Sequence, residues 1–322
     1  MYSLHFYGQM LADAARMDAY TQALRRAVTA DSVVLDLGCG PGVFALLACK
    51  FGARRVYAVE PDHVIGVARE AAVANGCADR IEFFECLSTK LELPEPASII
   101  ISDLRGVLPW FEQHIPSIID ARKRLLARGG ARSGGVLIPR RDVLWAAIVE
   151  APEQYKDLVG PWQRFDLDLS AGTRLITNTW RKSYLKPEQL LVEPVHWTTI
   201  DYNEVESPDV RAEISWQATR NGTAHGIAVW FDSELADDIT ISNHAAAPQM
   251  IYGAGFFPFL KPVEIAAGEH IQLRLAADLV NDGYVWRWDT DFFAGAHLKA
   301  SFKQSTFYGV PLSQTQLRKS AR

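Results

Sequence analysis

The chain has 322 residues, 48% of them apolar and 22% charged, an ordinary globular composition with length enough for two domains. A net charge of −5 argues against bulk phosphate binding as the main role, and no apolar run approaches the length of a membrane span. No signal peptide is visible, and the four cysteines, Cys39, Cys49, Cys77 and Cys86, form no Cys-x-x-Cys pair, so a reduced, cytosolic protein is expected.

Most of Met1–Val28 reads as helix, because Met10, Ala14, Met17, Leu24 and Val28 recur at helical spacing. The aromatic cluster Tyr2, Phe6 and Tyr7 precedes it, either as a lid over a ligand or as a packed arm. Val33–Leu37 has the length and β-branched content of a buried parallel strand. It runs into Gly38, Gly40 and Gly42, and the Ala/Leu-rich Val43–Lys50 then reads as helix. Strand, glycine turn and helix is an arrangement that brings backbone N–H groups and a helix N-terminus against a cofactor. A dinucleotide fingerprint would put its third glycine at Val43; here it falls one residue early, at Gly42. Asp36 stands two residues before Gly38. Glu60 follows the strand Arg55–Val59, where its carboxylate can accept hydrogen bonds from both ribose hydroxyls.

Further along, Val64–Asn75 reads as a helix stopped by Asn75-Gly76. The strand Arg80–Phe84 leads into a loop holding Leu87, Ser88 and Thr89, placed beside the first turn. Ser98–Ser102 is a very apolar strand with Asp103 at its end. Ile115–Ala127 reads as helix, Arg128–Gly135 as a flexible turn, and Gly135–Pro139 and Asp142–Glu150 as strands. Beyond about Pro139 alternating runs dominate, such as Val210–Ala218, Gly226–Phe231 and Ile271–Leu275. Asn221-Gly222 and Asp282-Gly283 are hairpin signals. A β-sandwich or barrel is expected, with Gly160–Tyr184 an excursion from it and Gln314–Arg322 a solvated tail. The eight scattered histidines show no metal-ligand spacing, and no metal site is expected.

Asp-x-Gly-x-Gly-x-Gly followed by a strand-end acid looks like the S-adenosylmethionine (SAM) site of class I methyltransferases; a glycine turn without a ligand, or one for NAD, is the competing reading. Across nearly the whole chain the residues resemble the protein arginine methyltransferases. That resemblance implies a Rossmann-like SAM domain over 1–139, a β-barrel over 140–312 with a dimerisation arm near 160–184, a tail over 313–322, and a homodimer. Met10-Leu-x-Asp-x-x-Arg16 looks like the family's N-terminal helix and assigns the SAM carboxylate to Arg16. Asp36, Gly38, Gly40 and Gly42 match the glycine motif, Glu60 the ribose acid, and Leu87, Ser88 and Thr89 the adenine loop. Lys186-Pro-Glu-Gln-Leu190, His225–Asp232 and Ala267–Ile271 resemble barrel segments in the family's order.

The catalytic pattern departs from the family. Its Ser-Glu-Trp-Met-Gly loop, with a second glutamate nine positions on, becomes Ser102-Asp-Leu-Arg-Gly106 followed by Glu112. The first acid is thus Asp103, shorter by about 1.5 Å of reach, and Arg105 replaces an apolar residue. The family's Thr-His-Trp loop falls on Met250-Ile251-Tyr252, with His244 nearby in sequence. Two carboxylates can hold a guanidinium bidentately and orient one nitrogen towards a methyl group. Asp103, Glu112 and Arg105 are therefore the candidate catalytic residues, and Tyr2, Tyr7, Met10, His244 and Tyr252 the candidate substrate-lining ones. Arg105 can neutralise an acid, repel a guanidinium, or hold a carboxylate or amide. The expected activity is methyl transfer to a side-chain nitrogen of a peptide or protein, arginine first. Another acceptor (amide or imidazole nitrogen, or carboxylate oxygen) on the same fold, and a SAM-binding scaffold without turnover, are the alternatives. No nucleic-acid or membrane partner is expected.

Overall fold

The computed structural model describes residues 3–128 and 134–310. Tyr2, the middle of the turn expected over Arg128–Gly135 and the tail expected over 313–322 lie outside the described residues. The helix expected at the start of the chain is two helices, α1 (Leu4–Ala12) and α2 (Ala14–Ala27). They part at Asp13, whose side chain accepts from the Arg16 N–H at 3.1 Å. A capping aspartate offers the backbone an alternative to continued helix, and hydrophobic periodicity does not register it.

Five parallel strands follow: β1 (Val33–Leu37), β2 (Arg55–Val59), β3 (Ile81–Phe84), β4 (Ile99–Ser102) and β5 (Val136–Ile138). Their order is β3-β2-β1-β4-β5. Central β1 is buried at every position, which is why it is continuously apolar apart from Asp36. The helices between the strands are α3 (Val43–Lys50), α4 (Ile65–Ala74) and α5 (His114–Arg124). Helix α5 stops short of the expected Ala127 because the Ala127 N–H leaves to bond Ala97 O at 2.8 Å. The strand order reverses at β1, between β2 and β4. There a crevice opens at the carboxyl ends of the strands, beside Gly38 and Asp103.

The remaining chain is largely antiparallel. In order it forms β6 (Arg141–Val149), α6 (Pro152–Val159), α7 (Ser170–Ile176), β7 (Arg181–Ser183), β8 (Val195–Asp201), β9 (Val210–Gln217), β10 (Gly222–Ala236), β11 (Ile239–Ser242), β12 (Ala254–Ile265), β13 (His270–Val280), β14 (Gly283–Ala294) and β15 (His297–Ser305). One sheet runs β7-β12-β10-β6-β8 with β11 on β10; the other runs β15-β14-β13-β9. This is the barrel half of an α/β-plus-barrel architecture. The excursion expected from Gly160 begins earlier, at α6, which opens with a proline at a position that loses no helical hydrogen bond. Asp282-Gly283 does join a hairpin, β13 to β14. Asn221-Gly222 does not: it carries the chain from β9 into the other sheet, with Asn221 Oδ1 accepting from the Ala267 N–H at 2.9 Å. A turn dipeptide sets local geometry but not the partner strand.

The barrel core is aromatic. Trp286 packs against Phe257, Trp180 and Trp197, with ring centroids 5.1, 5.9 and 6.0 Å apart. Trp110, from the segment between β4 and α5, joins this cluster 4.9 Å from Trp197. The segment carrying the candidate catalytic acids is thereby anchored in the barrel. Truncating a buried tryptophan of this kind costs about 3–5 kcal/mol. Among the described residues no helix is long and apolar enough to cross a membrane.

Candidate active site

A cavity of about 300 Å³ opens at the strand ends, lined among others by Tyr7, Met10, Arg16, Gly38, Gly40, Glu60, Asp103, Arg105 and Glu112. An adjoining cavity of about 160 Å³ is lined by Leu87 and Ser88 and shares Gly38, Leu104 and Glu112 with the first. Thr89, Gly42, His244 and Tyr252 line neither. His244 instead packs on Trp230, 5.0 Å between centroids. Gly42 starts α3 in the left-handed region at φ 80°, and a side chain there would meet Ala68 Cβ at 2.6 Å. Its part is to let α3 and α4 approach.

The glycine turn does not leave its amides open. Gly38 and Cys39 N–H groups donate to Val59 O at 2.9 and 3.0 Å, and the Gly40 N–H donates to Glu60 Oε2 at 3.0 Å. The expectation of free N–H groups facing a ligand is therefore replaced by a different use. The turn is narrow because nothing larger than hydrogen fits: a Cβ on Gly40 would lie 2.7 Å from the Tyr7 ring. Glu60 Oε1 accepts from the Asp62 N–H at 3.0 Å. Each Glu60 oxygen thus has one backbone donor and a further lone pair for a hydroxyl. Burial raises its pKa. Asp36 is fully buried, accepts from the Ala45 N–H at 2.9 Å, and is pushed up to about 7 by desolvation. It fixes the start of α3.

Asp103 sits at the centre of a buried polar network. Arg16 Nε donates to Asp103 Oδ2 at 2.7 Å, and Arg16 Nη2 lies 2.6 Å from the same oxygen, both side chains 4% exposed. Tyr252 OH approaches both carboxylate oxygens, at 2.9 and 2.7 Å, and Tyr20 OH donates to Oδ1 at 3.2 Å. Burial pushes the Asp103 carboxyl up, but Arg16 and Arg105 outweigh it and hold the pKa below the usual carboxylate value. Burial raises Tyr20 and Tyr252, so both remain phenols able to donate. Tyr252, in the position of the family's tryptophan, closes on the shorter acid.

Arg105 lines the cavity, with its side chain buried and paired. Its Nη1 donates to Asp142 Oδ1 at 2.7 Å, with neither side chain exposed; Nη2 donates to Tyr20 OH at 3.1 Å. Tyr202 OH donates to the other Asp142 oxygen at 2.6 Å. The guanidinium lies 4.9 Å from the Phe231 ring centroid. Arg16, Asp103, Arg105 and Asp142 balance to zero charge. Glu112 is different. It is exposed at the cavity wall and has φ 44°, a left-handed conformation costing about 1 kcal/mol or more in a non-glycine residue. Of the two candidate acids, Asp103 is thus anchored and Glu112 presented.

Sequence reading missed Asp142, Tyr20, Tyr202, Trp110 and His114. Asp142, an acid inside an apolar strand, and Tyr20, one helical turn after Arg16, are signals that could have pointed to two of them. His114 is fully buried, its Nδ1 donating to Pro109 O at 2.9 Å, and burial lowers its pKa to about 4.

Fold and cavity together define a Rossmann-like methyltransferase domain followed by a β-barrel. Residues 140–282 match the family model "Arginine methyltransferase oligomerization subdomain", and residues 19–130 match "Ribosomal protein L11 methyltransferase (PrmA)". An arginine N(omega)-methyltransferase of Streptomyces achromogenes subsp. streptozoticus is 30% identical over 278 residues, 83% of this chain and 74% of that protein. A probable protein arginine N-methyltransferase 6 of Arabidopsis thaliana is 28% identical over 240 residues, 71% of this chain. The chain spans 54% of the length of the Arabidopsis relative. Among solved structures, a Trypanosoma brucei PRMT1 enzyme–prozyme complex with AdoHcy superposes with a TM-score of 0.82 at 22% identity, over 95% of this chain and 98% of that one. Arabidopsis thaliana protein arginine methyltransferase 10 gives 0.80 at 21%, over 94% and 97%. The chain belongs to the arginine methyltransferase family.

Proposed function

We propose that this protein transfers the methyl group of SAM to a guanidine nitrogen of arginine in a peptide or protein. The observation that carries the reading is that Glu112 and the anchored Asp103 line the same cavity as Glu60, Gly38 and Gly40. The donor set fits SAM. Glu60 has free lone pairs for ribose hydroxyls, Leu87 and Ser88 line the neighbouring space for a base, and Arg16 offers a guanidinium for a carboxylate. When bound, SAM supplies an electrophilic methyl group on a sulfonium whose departure leaves a neutral thioether.

In this reading the two acids divide the work. Glu112 accepts hydrogen bonds from the acceptor guanidinium and supplies the net negative charge that the balanced network behind it lacks. Asp103, held by Arg16, Tyr20 and Tyr252, fixes the floor of the cavity and orients Arg16. A protonated guanidinium has a pKa above about 12, so a fixed carboxylate positions it and localises its charge, and the nitrogen that gains the methyl gives up its proton to the Glu112 carboxylate or to water. The residue ranges 1–139 and 140–312 serve as methyltransferase and barrel domains, and the segment with α6 and α7 as the arm of a homodimer. Trp162, Phe165 and Leu167 on that arm are exposed, at 39%, 76% and 62%, as an unpaired docking tip would be. The free, mostly buried cysteines support a cytoplasmic setting. Incubation with methyl-labelled SAM and arginine-containing peptides, followed by mass spectrometry, tests the reading. Label on a guanidine nitrogen is expected; label confined to another atom would overturn it.

A further inference from the structure

A second cleft, of about 410 Å³, lies on the outer face of the barrel sheet and is lined among others by Trp145, Trp230, Asp232, Ser242 and His244. Its walls follow from strand register. Trp145 on β6 is opposite Trp230 on β10 and opposite His196 on β8. Trp230 and Asp232 are two apart on one strand, so they share a face. His244 lies over Trp230 at 5.0 Å, and His196 stands edge-on to Trp145 at 5.9 Å. Asp232 is the one charged residue lining the cleft. It is half-buried, and among the described residues no cation lies within ion-pair distance of it, whereas its strand neighbour Glu234 is paired with Arg141 at 2.7 Å.

The half-buried Trp145 ring beside an unpaired carboxylate matches the chemistry of a flat, weakly hydrated cation. We propose that this cleft is an exosite for an arginine side chain of the polypeptide substrate, distinct from the arginine being methylated. The choice of arginine as the cation rests on the function proposed above; the cationic character of the ligand rests on the cleft alone. The cleft and the active site share one loop. His244 at its start lines the cleft, and Tyr252 near its end hydrogen-bonds Asp103. A peptide whose two arginines are spaced to span the cleft and the active site would engage both, and the second contact would raise affinity through local concentration.

The test uses the full chain and a fluorescein-labelled peptide with arginines near both ends, followed by anisotropy, with a single-arginine peptide as control. Asp232→Asn keeps shape and removes charge, and Asp232→Lys reverses it. Asn is expected to weaken binding of the two-arginine peptide about fivefold and Lys to weaken it further, with the control peptide unaffected in affinity and in turnover. Trp145→Leu is expected to follow Asn, with thermal unfolding recorded as a fold check. Equal binding of the two-arginine peptide by the parent and both Asp232 variants would overturn the exosite. Asp232-dependent binding without any arginine methylation would keep the exosite and remove the catalytic reading.

Discussion

Replacing Arg105 by methionine is expected to destabilise the protein by about 3–5 kcal/mol, the cost of breaking a fully buried ion pair from one side. Arg105 Nη1 is 2.7 Å from Asp142 Oδ1 and both side chains are wholly buried. With Arg105 gone, Asp142 keeps only the Tyr202 hydroxyl at 2.6 Å. The lost contact with the Phe231 ring, 4.9 Å away, adds about 1 kcal/mol. Methionine nearly conserves the aliphatic length, so the loss reports the orphaned charge rather than a cavity. Asp142→Asn in the same background removes that charge and keeps an acceptor for Tyr202. The double variant should therefore recover about 2–3 kcal/mol relative to Arg105→Met alone. Urea unfolding followed by tryptophan fluorescence and far-ultraviolet dichroism gives the three differences. A parent-like unfolding curve for Arg105→Met, together with a raised acceptor KM, would refute the reasoning and put Arg105 against the acceptor.

Glu112→Gln should lower turnover about a hundredfold or more while leaving SAM affinity near the parent value, since Glu112 is the presented acid; single-turnover kinetics with calorimetry separates the two. Gly40→Ala forces a side chain into a φ of 51° and to 2.7 Å from the Tyr7 ring, and a SAM affinity about tenfold weaker is expected by calorimetry. His114, lowered by burial to about 4, stays neutral in the folded protein while it protonates in the unfolded chain below about pH 6.5. The unfolded state then binds more protons, so stability falls as pH drops from about 6.5 to 4, by about 3 kcal/mol from this group. His114→Gln should flatten the pH–stability curve between about pH 6.5 and 4, so the gap between parent and variant changes by about that amount across this range.

The strand Val33–Leu37, its glycine turn and Glu60 were legible in the sequence because their constraints are local. A buried strand must be apolar, a turn at positive φ favours glycine, and an acid at a strand end follows from chain order. The parallel first half and the hairpin-rich second half follow from the same patterns, whereas the strand order around β1 is set by packing. The site's wiring was not legible. Arg16 reaches Asp103 across 87 residues of chain, Tyr252 across 149, and Arg105 finds Asp142 across 37. Spacing along the chain holds no record of such distances. The interval from Asp103 to Glu112 suggests two acids on one guanidinium, and only packing makes one the buried centre of a neutral network and the other an exposed acid. Side-chain type sets what a residue can do; the dielectric and the partners that folding places around it decide which of those things it does.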